Sequence, residues 1–204
     1  MKRINSLNDL LMEELADLLN AESQLVEALP KMADAGHSSV LKSVLEDCLA
    51  VTKEHVKRLE DIFNTIGQEP QKLTCKAMKG LLTESEDIVN KTKKGPDLDA
   101  DIISLAQRVQ EYEIARYKAV REHAADLGHS RIVKSFTKSL NEHRAMNFHF
   151  NEMAQGMINV QASGGGFYIP EGKFSRKGIM KKTKSTDVSR FISEGNPNIQ
   201  DQNL

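Results

Sequence analysis

Five residues of the kind that bind metals fall on or beside helix positions that should be buried. Burying a carboxylate without a partner costs several kcal/mol, and a bound metal ion removes that cost. A mixture of carboxylate and imidazole ligands suits iron, manganese or zinc better than calcium or magnesium. The predicted ligands are Glu22, His55, Glu113, His143 and Glu142.

Each of these residues also has an ordinary structural interpretation. A single histidine on a helix seam is more often a hydrogen-bonded core residue, and a glutamate beside it more often forms a salt bridge. The metal hypothesis rests on the combination, because each of four predicted helices contributes at least one such residue. Nearby candidates to support the ligands are Tyr112, Tyr117 and Asn147, and the remaining histidines, expected at turns or on the surface, are His37, His123, His129 and His149.

Four segments repeat apolar residues at steps of three and four, the spacing of an amphipathic helix. The first lies before Gly36, the second ends at Gly67, the third covers about 98–127, and the fourth carries its seam from Val133 to Met157. Pro30 lies inside the first pattern and predicts a kink or pause there. The link over about 68–97 has its own apolar cluster, which predicts one or two short helices crossing an end or side of the bundle.

The predicted ligands lie at similar heights within each helical hairpin. From the turn near Gly36, Glu22 and His55 are both roughly 21–27 Å away at 1.5 Å per residue. From the turn near residue 129, Glu113 and His143 are roughly 24 and 21 Å away. A carboxylate and an imidazole from each hairpin are therefore expected to meet in the middle.

The connections between the segments predict the fold class. Short turns near 36 and 128 make two hairpins, and the long middle link joins them. We therefore expect an all-α protein, a ferritin-like antiparallel four-helix bundle over 1–160 with a long helical crossover between helices two and three. After a glycine-rich break, residues 161–204 are expected to form a mostly disordered, basic C-terminal tail.

Composition excludes several classes of protein. The net charge of −1 gives no argument that the whole protein binds nucleic acid or an anionic membrane. Cys48 and Cys75 are far from any C-x-x-C spacing, which favours reduced thiols over a disulfide framework. No stretch approaches the ~20 apolar residues that span a bilayer. We therefore expect a soluble, cytoplasmic protein without a membrane partner.

Five short motifs resemble, in order, those of the YciE/YciF-type ferritin-like stress proteins. The most distinctive is the middle stretch CKAMKGL. The likeness covers about residues 5–158 and leaves out the tail. The motifs are AESQL (21–25), ALPKM (28–32), TKEHVKRLE (52–60), CKAMKGL (75–81) and EYEIARY (111–117).

The resemblance implies a dimeric protein expressed under stress, with a di-iron or di-manganese carboxylate centre. Such centres use a Glu on two helices and Glu-x-x-His on the other two. Glu22 and Glu113 fit the first requirement, but Thr52 and Leu140 stand where the second requires acids. Two divalent ions need bridging negative charge to offset their repulsion. The sequence therefore leaves open one iron or manganese ion, two bound weakly, or a fold that has lost the centre.

Two functions follow as hypotheses. The first is a ferritin-like, metal-binding stress-response protein that handles oxidants or metals through the carboxylate/histidine site. The second is a non-enzymatic homodimeric scaffold whose basic segment, 173–184, binds an acidic partner or nucleic acid through salt-dependent contacts. An iron-storage cage is weaker, since no sequence feature predicts cage symmetry.

Overall fold

The computed structural model describes residues 3–162, with side chains through residue 156, and all of its regular secondary structure is helical. This confirms the all-α class for that part of the chain. No helix in this range is long and apolar enough to cross a membrane. The helices are α1 (Leu7–Ala35), α2 (Ser39–Ile66), α3 (Lys76–Lys91), α4 (Pro96–Asp126) and α5 (Ser130–Ala162).

Helix ends follow from local sequence. Ser6 caps α1 by accepting a hydrogen bond at its Oγ from the Asp9 backbone N–H at 3.0 Å. Ser38 caps α2, and its Oγ lies 3.4 Å from the Leu41 nitrogen. Gly67 ends α2 at φ +71°, a backbone conformation that glycine adopts without steric cost.

Pro30 does not interrupt α1, so the helix does not pause there, and a kink at Pro30 stays a prediction. The helix continues for five residues beyond it to Ala35. Met32 and Ala33, in this last stretch, are buried against the core. Tertiary packing of an apolar face contributes most of a helix's stability, and here it outweighs the lost backbone hydrogen bond.

The helices pack as two pairs of chain neighbours. α1 lies along α2, and α4 lies along α5. The pairs meet through contacts of α1 with α4 and of α2 with α5. The middle link contains one helix in this structure, α3, which packs on α1 and α4.

Two apolar clusters fill the interior, one towards each end. The first contains Leu25, Val51, Val109 and Met146, and the second contains Leu18. Leu59, Tyr117 and Leu140 also belong to the second. All five residues predicted as ligands fall in the layer between these clusters, with at least one on each of the four long helices.

A buried carboxylate ties the α1–α2 turn to α4. Asp99, in the first turn of α4, is fully buried. Its Oδ1 accepts a hydrogen bond from the His37 backbone N–H at 2.6 Å, and its Oδ2 accepts one from the Ser38 N–H at 2.9 Å. The carboxylate therefore satisfies two backbone donors where α2 begins and joins the two hairpins at this end.

The predicted division at residue 160 stays a prediction. α5 runs to Ala162, and residues 163–204 lie outside the described part of the chain. The predicted disorder of the tail and its basic segment, 173–184, fall there.

Candidate metal centre

Glu22 lies at the centre of the polar layer and is fully buried. Its Oε1 accepts a hydrogen bond from the Tyr117 hydroxyl at 2.7 Å. The same oxygen lies 3.0 Å from His55 Nδ1 and 3.2 Å from His143 Nε2. Helices α1, α2 and α5 thus bring three predicted ligands to one point, with their ligand atoms within 4.8 Å of one another.

Each of the two histidines has a hydrogen-bond partner on the side of its ring that faces away from Glu22. His55 Nε2 lies 3.0 Å from Glu142 Oε2, and His143 Nδ1 lies 3.0 Å from Gln110 Oε1. Both partners are acceptors, so each imidazole donates its outer N–H and turns its other nitrogen towards Glu22. Metal-binding histidines generally make this kind of outer hydrogen bond, which fixes tautomer and ring orientation.

Burial and charge set the pKa values of the two histidines in opposite directions. Burial lowers the pKa of His55, but the charge of Glu22 and the hydrogen bonds to Glu142 and Glu22 outweigh it and raise the pKa above its usual value. Burial and the positive charge of His55 lower the pKa of His143. In the metal-free protein the two carboxylates that face its ring nitrogens favour the imidazolium form of His55, while His143 favours the neutral form.

A neutral His143 creates an arrangement that suits a cation. In the tautomer that carries its proton on Nδ1 and donates it to Gln110 Oε1, 3.0 Å away, the lone pair of Nε2 faces the Glu22 oxygen 3.2 Å away. Burial raises the pKa of Glu22, but the His55 charge and the close contacts of both histidines with this carboxylate outweigh it, and the pKa falls well below the usual range. In that tautomer the His143 nitrogen and the Glu22 oxygen both present electron pairs to each other. A metal ion bound to both atoms would remove their repulsion.

Glu113 brings a second, uncompensated carboxyl group into the same core. It is fully buried, and neither of its oxygens has a hydrogen-bond partner among the described residues; the same is true of Glu22 Oε2. Burial and the nearby Glu22 charge raise the pKa of Glu113 well above its usual value, and Arg116 offsets only part of this. Glu113 is not among the three residues whose ligand atoms lie within 4.8 Å of one another. The three buried carboxylate oxygens without partners nevertheless suit a metal ion as donors.

Glu142, the fifth predicted ligand, is engaged from two sides. His55 Nε2 lies 3.0 Å from its Oε2, and the Arg58 guanidinium donates to both of its oxygens. Burial raises the pKa of Glu142, but the hydrogen bonds from His55 and Arg58 and their positive charges outweigh it and lower the pKa to about 2. This carboxylate is therefore ionised and already paired.

The supporting residues named from sequence divide into one that reaches the site and two that do not. Tyr117 reaches Glu22, and its ring centroid lies 4.8 Å from that of His143. Tyr112 instead contacts Cys75, with 3.1 Å between oxygen and sulfur. Asn147 donates to Glu111.

The other histidines do not join the cluster, and one prediction about them was wrong. His149 is buried, with 5% of its surface exposed, rather than at a turn or on the surface. His37 is exposed. His123 Nδ1 lies 2.7 Å from Glu14 Oε2, in a hydrogen bond between α4 and α1.

Sequence reasoning missed Arg58 and Gln110. Both carry a signal of the same kind, since each lies three residues from a predicted ligand: Arg58 after His55 and Gln110 before Glu113. Residues at that spacing share a helix face. A polar side chain one turn from a buried ligand is therefore a candidate to support it.

Comparison with known proteins confirms the resemblance. A family model described as a domain of unknown function (DUF892) matches residues 6–163. Protein YciF of Escherichia coli K12 is 28% identical over 160 residues, covering 78% of this chain and 96% of that protein. The crystal structure of this E. coli stress protein superposes with a TM-score of 0.74, covering 76% of this chain and 99% of that one.

A second solved structure is more similar in sequence. YcfI of Rhodopseudomonas palustris, described as a candidate structural protein, is 37% identical with a TM-score of 0.71. The match covers 74% of this chain and 96% of that one. Both solved structures therefore match about three quarters of this chain over nearly their whole length.

Proposed function

The chain belongs to the DUF892 family, and from that premise we propose that it is a ferritin-like, metal-binding stress-response protein of the cytoplasm that handles oxidants or metals. The observation that carries this proposal is the convergence of Glu22, His55 and His143 in a buried layer. The likeness to an E. coli stress protein supports the stress role.

The bundle that holds this site consists, in our proposal, of α1, α2, α4 and α5 in the ferritin-like arrangement, with α3 as the crossover. The packing of α1 on α2 and of α4 on α5 supports it, as does the place of α3 in the link between the pairs. Each of the four bundle helices then contributes one of four proposed ligands.

The proposed ligands are Glu22, Glu113, His55 through Nδ1 and His143 through Nε2. Glu142 and Gln110 orient the imidazoles, and the two apolar clusters exclude water from the layer between them. A bound iron or manganese ion would supply redox or Lewis-acid chemistry. The carboxylates offset its charge, and the outer hydrogen bonds hold the ring nitrogens in place for it.

One ion fits these residues better than two. Thr52 and Leu140 are buried at the positions that would supply further carboxylates. Glu142 is paired with Arg58. Few carboxylate oxygens therefore remain to bridge a second ion, whose repulsion from the first would be large at a separation of a few ångströms.

Metal analysis of the purified protein tests this proposal. The protein is stripped with chelator, incubated anaerobically with Fe²⁺ or with Mn²⁺, and desalted before elemental analysis. We expect about one ion per chain, and strong loss of binding in Glu22→Gln. Glu54→Gln is the matched control, because Glu54 is exposed and lies next to His55 on α2. Metal-free protein after both reconstitutions, or equal binding by both variants, would contradict the proposal.

A non-enzymatic scaffold is the second candidate. The metal-free cluster is balanced in charge, since the His55 imidazolium and Arg58 face the ionised Glu22 and Glu142. The relative YcfI is described as a candidate structural protein. In this proposal a homodimer presents the basic segment, 173–184, to an acidic partner or nucleic acid, and the polar layer serves only to specify helix packing.

A further inference from the structure

We propose that Arg58 is a built-in cation that restricts the metal centre to a single ion; this inference rests on the proposed function. Arg58 lies on α2 one turn after His55, with 17% of its side chain exposed, and Glu142 on α5 has 6% exposed. The pair therefore lies at the border between the buried layer and the solvent.

The contacts of Arg58 occupy the carboxylate that a second ion would need. One guanidinium nitrogen donates to Ser139 Oγ at 2.7 Å and also to Glu142 Oε2. The other donates to Glu142 Oε1 at 3.0 Å. The planar guanidinium donates hydrogen bonds to both oxygens and does not lose its charge. The Glu142 carboxylate is therefore not available to bind a metal ion.

The charges of the core agree with one divalent ion plus one arginine. Three carboxylates, Glu22, Glu113 and Glu142, carry three negative charges when all are ionised. One divalent ion and the Arg58 guanidinium carry three positive charges. A second divalent ion would leave two positive charges uncompensated in a layer closed by apolar clusters, where charge is poorly screened.

The pair could instead be a purely structural tie between α2 and α5, and the two roles make different predictions. A structural tie affects the free energy of unfolding when Arg58 is replaced, but not the number of ions that the folded protein binds. A counter-charge role changes the number of ions.

The experiment counts Mn²⁺ ions per chain at saturation, by equilibrium dialysis and elemental analysis of the full-length protein. Arg58→Met keeps much of the apolar stem and removes the charge. We expect an increase from one ion in the wild type to two in this variant, with a weakened, exchange-coupled Mn²⁺ EPR signal. Arg144→Met is the matched control, because Arg144 is exposed on α5, and it should bind one ion.

A double variant locates the second ion. Arg58→Met with Glu142→Gln removes both charges of the pair, and we expect it to bind one ion. If Arg58→Met fails to fold, Arg58→Gln replaces it in the same comparison, because its amide can still donate to Glu142 or Ser139.

The outcomes separate this inference from the proposed function. A wild type without metal contradicts the proposed function, whatever the variants bind. Two ions in the wild type, equal numbers in wild type and the Arg58 variant, or a second ion that persists in the double variant would overturn the role of Arg58.

Discussion

His55 lies between two carboxylates, those of Glu22 and Glu142. Both of its ring nitrogens face carboxylate oxygens at 3.0 Å, and this favours an imidazolium in the metal-free protein. A metal bound at Nδ1 must displace that proton. Proton release and metal binding are therefore linked at this residue.

Metal affinity should consequently fall with falling pH. The raised pKa of His55 means that protons compete more strongly with the metal as pH drops below it, and protonation of Glu113 adds to the competition. We expect the Mn²⁺ dissociation constant to rise by about tenfold per pH unit for each displaced proton. Titration calorimetry in buffers of different ionisation enthalpy, between pH 6 and 8, measures the protons released. Affinity that is independent of pH would contradict this linkage.

Glu113 should make the metal-free protein less stable as pH rises. Its pKa is raised in the folded state, so its stabilising contribution is complete below the unfolded pKa of about 4.5 and is lost as pH rises towards the folded pKa. Glu113→Gln removes this dependence and should change the free energy of unfolding at pH 5 by less than about 1 kcal/mol.

Urea denaturation of wild type and Glu113→Gln in EDTA, from pH 5 to pH 8, compares the two slopes. The variant should become the more stable protein at the upper end of the range, while binding metal more weakly. Parallel pH profiles would show that Glu113 titrates normally in the folded protein.

At the scale of the elements, Asp99 joins the α1–α2 turn to the first turn of α4. Asp99→Ala leaves two backbone N–H groups without their acceptor, and should reduce the free energy of unfolding by about 1–3 kcal/mol. Asp97→Ala is the matched control, because Asp97 is exposed in the same turn, and it should cost less than about 1 kcal/mol. Urea denaturation at pH 7 measures both. Equal losses would mean that the carboxylate acts only through the helix dipole.

The helices could be predicted from the sequence because their signal is local. Steps of three and four, a serine cap at α1 and a glycine after α2 are each readable within a few residues. The course of α1 through Pro30 could not be predicted in this way, because it depends on the packing of Met32 and Ala33 against other helices.

The candidate site was predictable in part for the same reason. Glu22, His55 and His143 stand out as polar residues on apolar seams, and helical rise places them level within each hairpin. The pairing of Glu142 with Arg58 was not predictable, since it joins residues 84 positions apart on different helices. That long-range contact determines that the Glu142 carboxylate is already paired and therefore differs from the other buried acids.

At the scale of the whole molecule, two features remain predictions: the homodimer and the role of the basic segment, 173–184. Light scattering coupled to gel filtration should give twice the chain mass of 22.8 kDa for a dimer. A mass equal to one chain, or to a large multiple, would contradict the dimer.

Deletion of residues 163–204 tests the basic segment. If it binds nucleic acid, DNA affinity should fall steeply with salt in the full chain, because neutralised phosphates release counterions, and should be lost in the truncated chain. Fluorescence anisotropy with a labelled duplex, between 50 and 200 mM salt, measures this. Equal affinity for both chains would exclude the segment from that role.

The central claim is that the buried layer holds one metal ion, and anomalous scattering from a crystal grown with Mn²⁺ tests it most directly. The account predicts one anomalous peak per chain, bounded by Glu22, His55, Glu113 and His143, with Arg58 still paired with Glu142. Absence of a peak in this layer at saturating Mn²⁺, or two peaks bridged by Glu142, would contradict it.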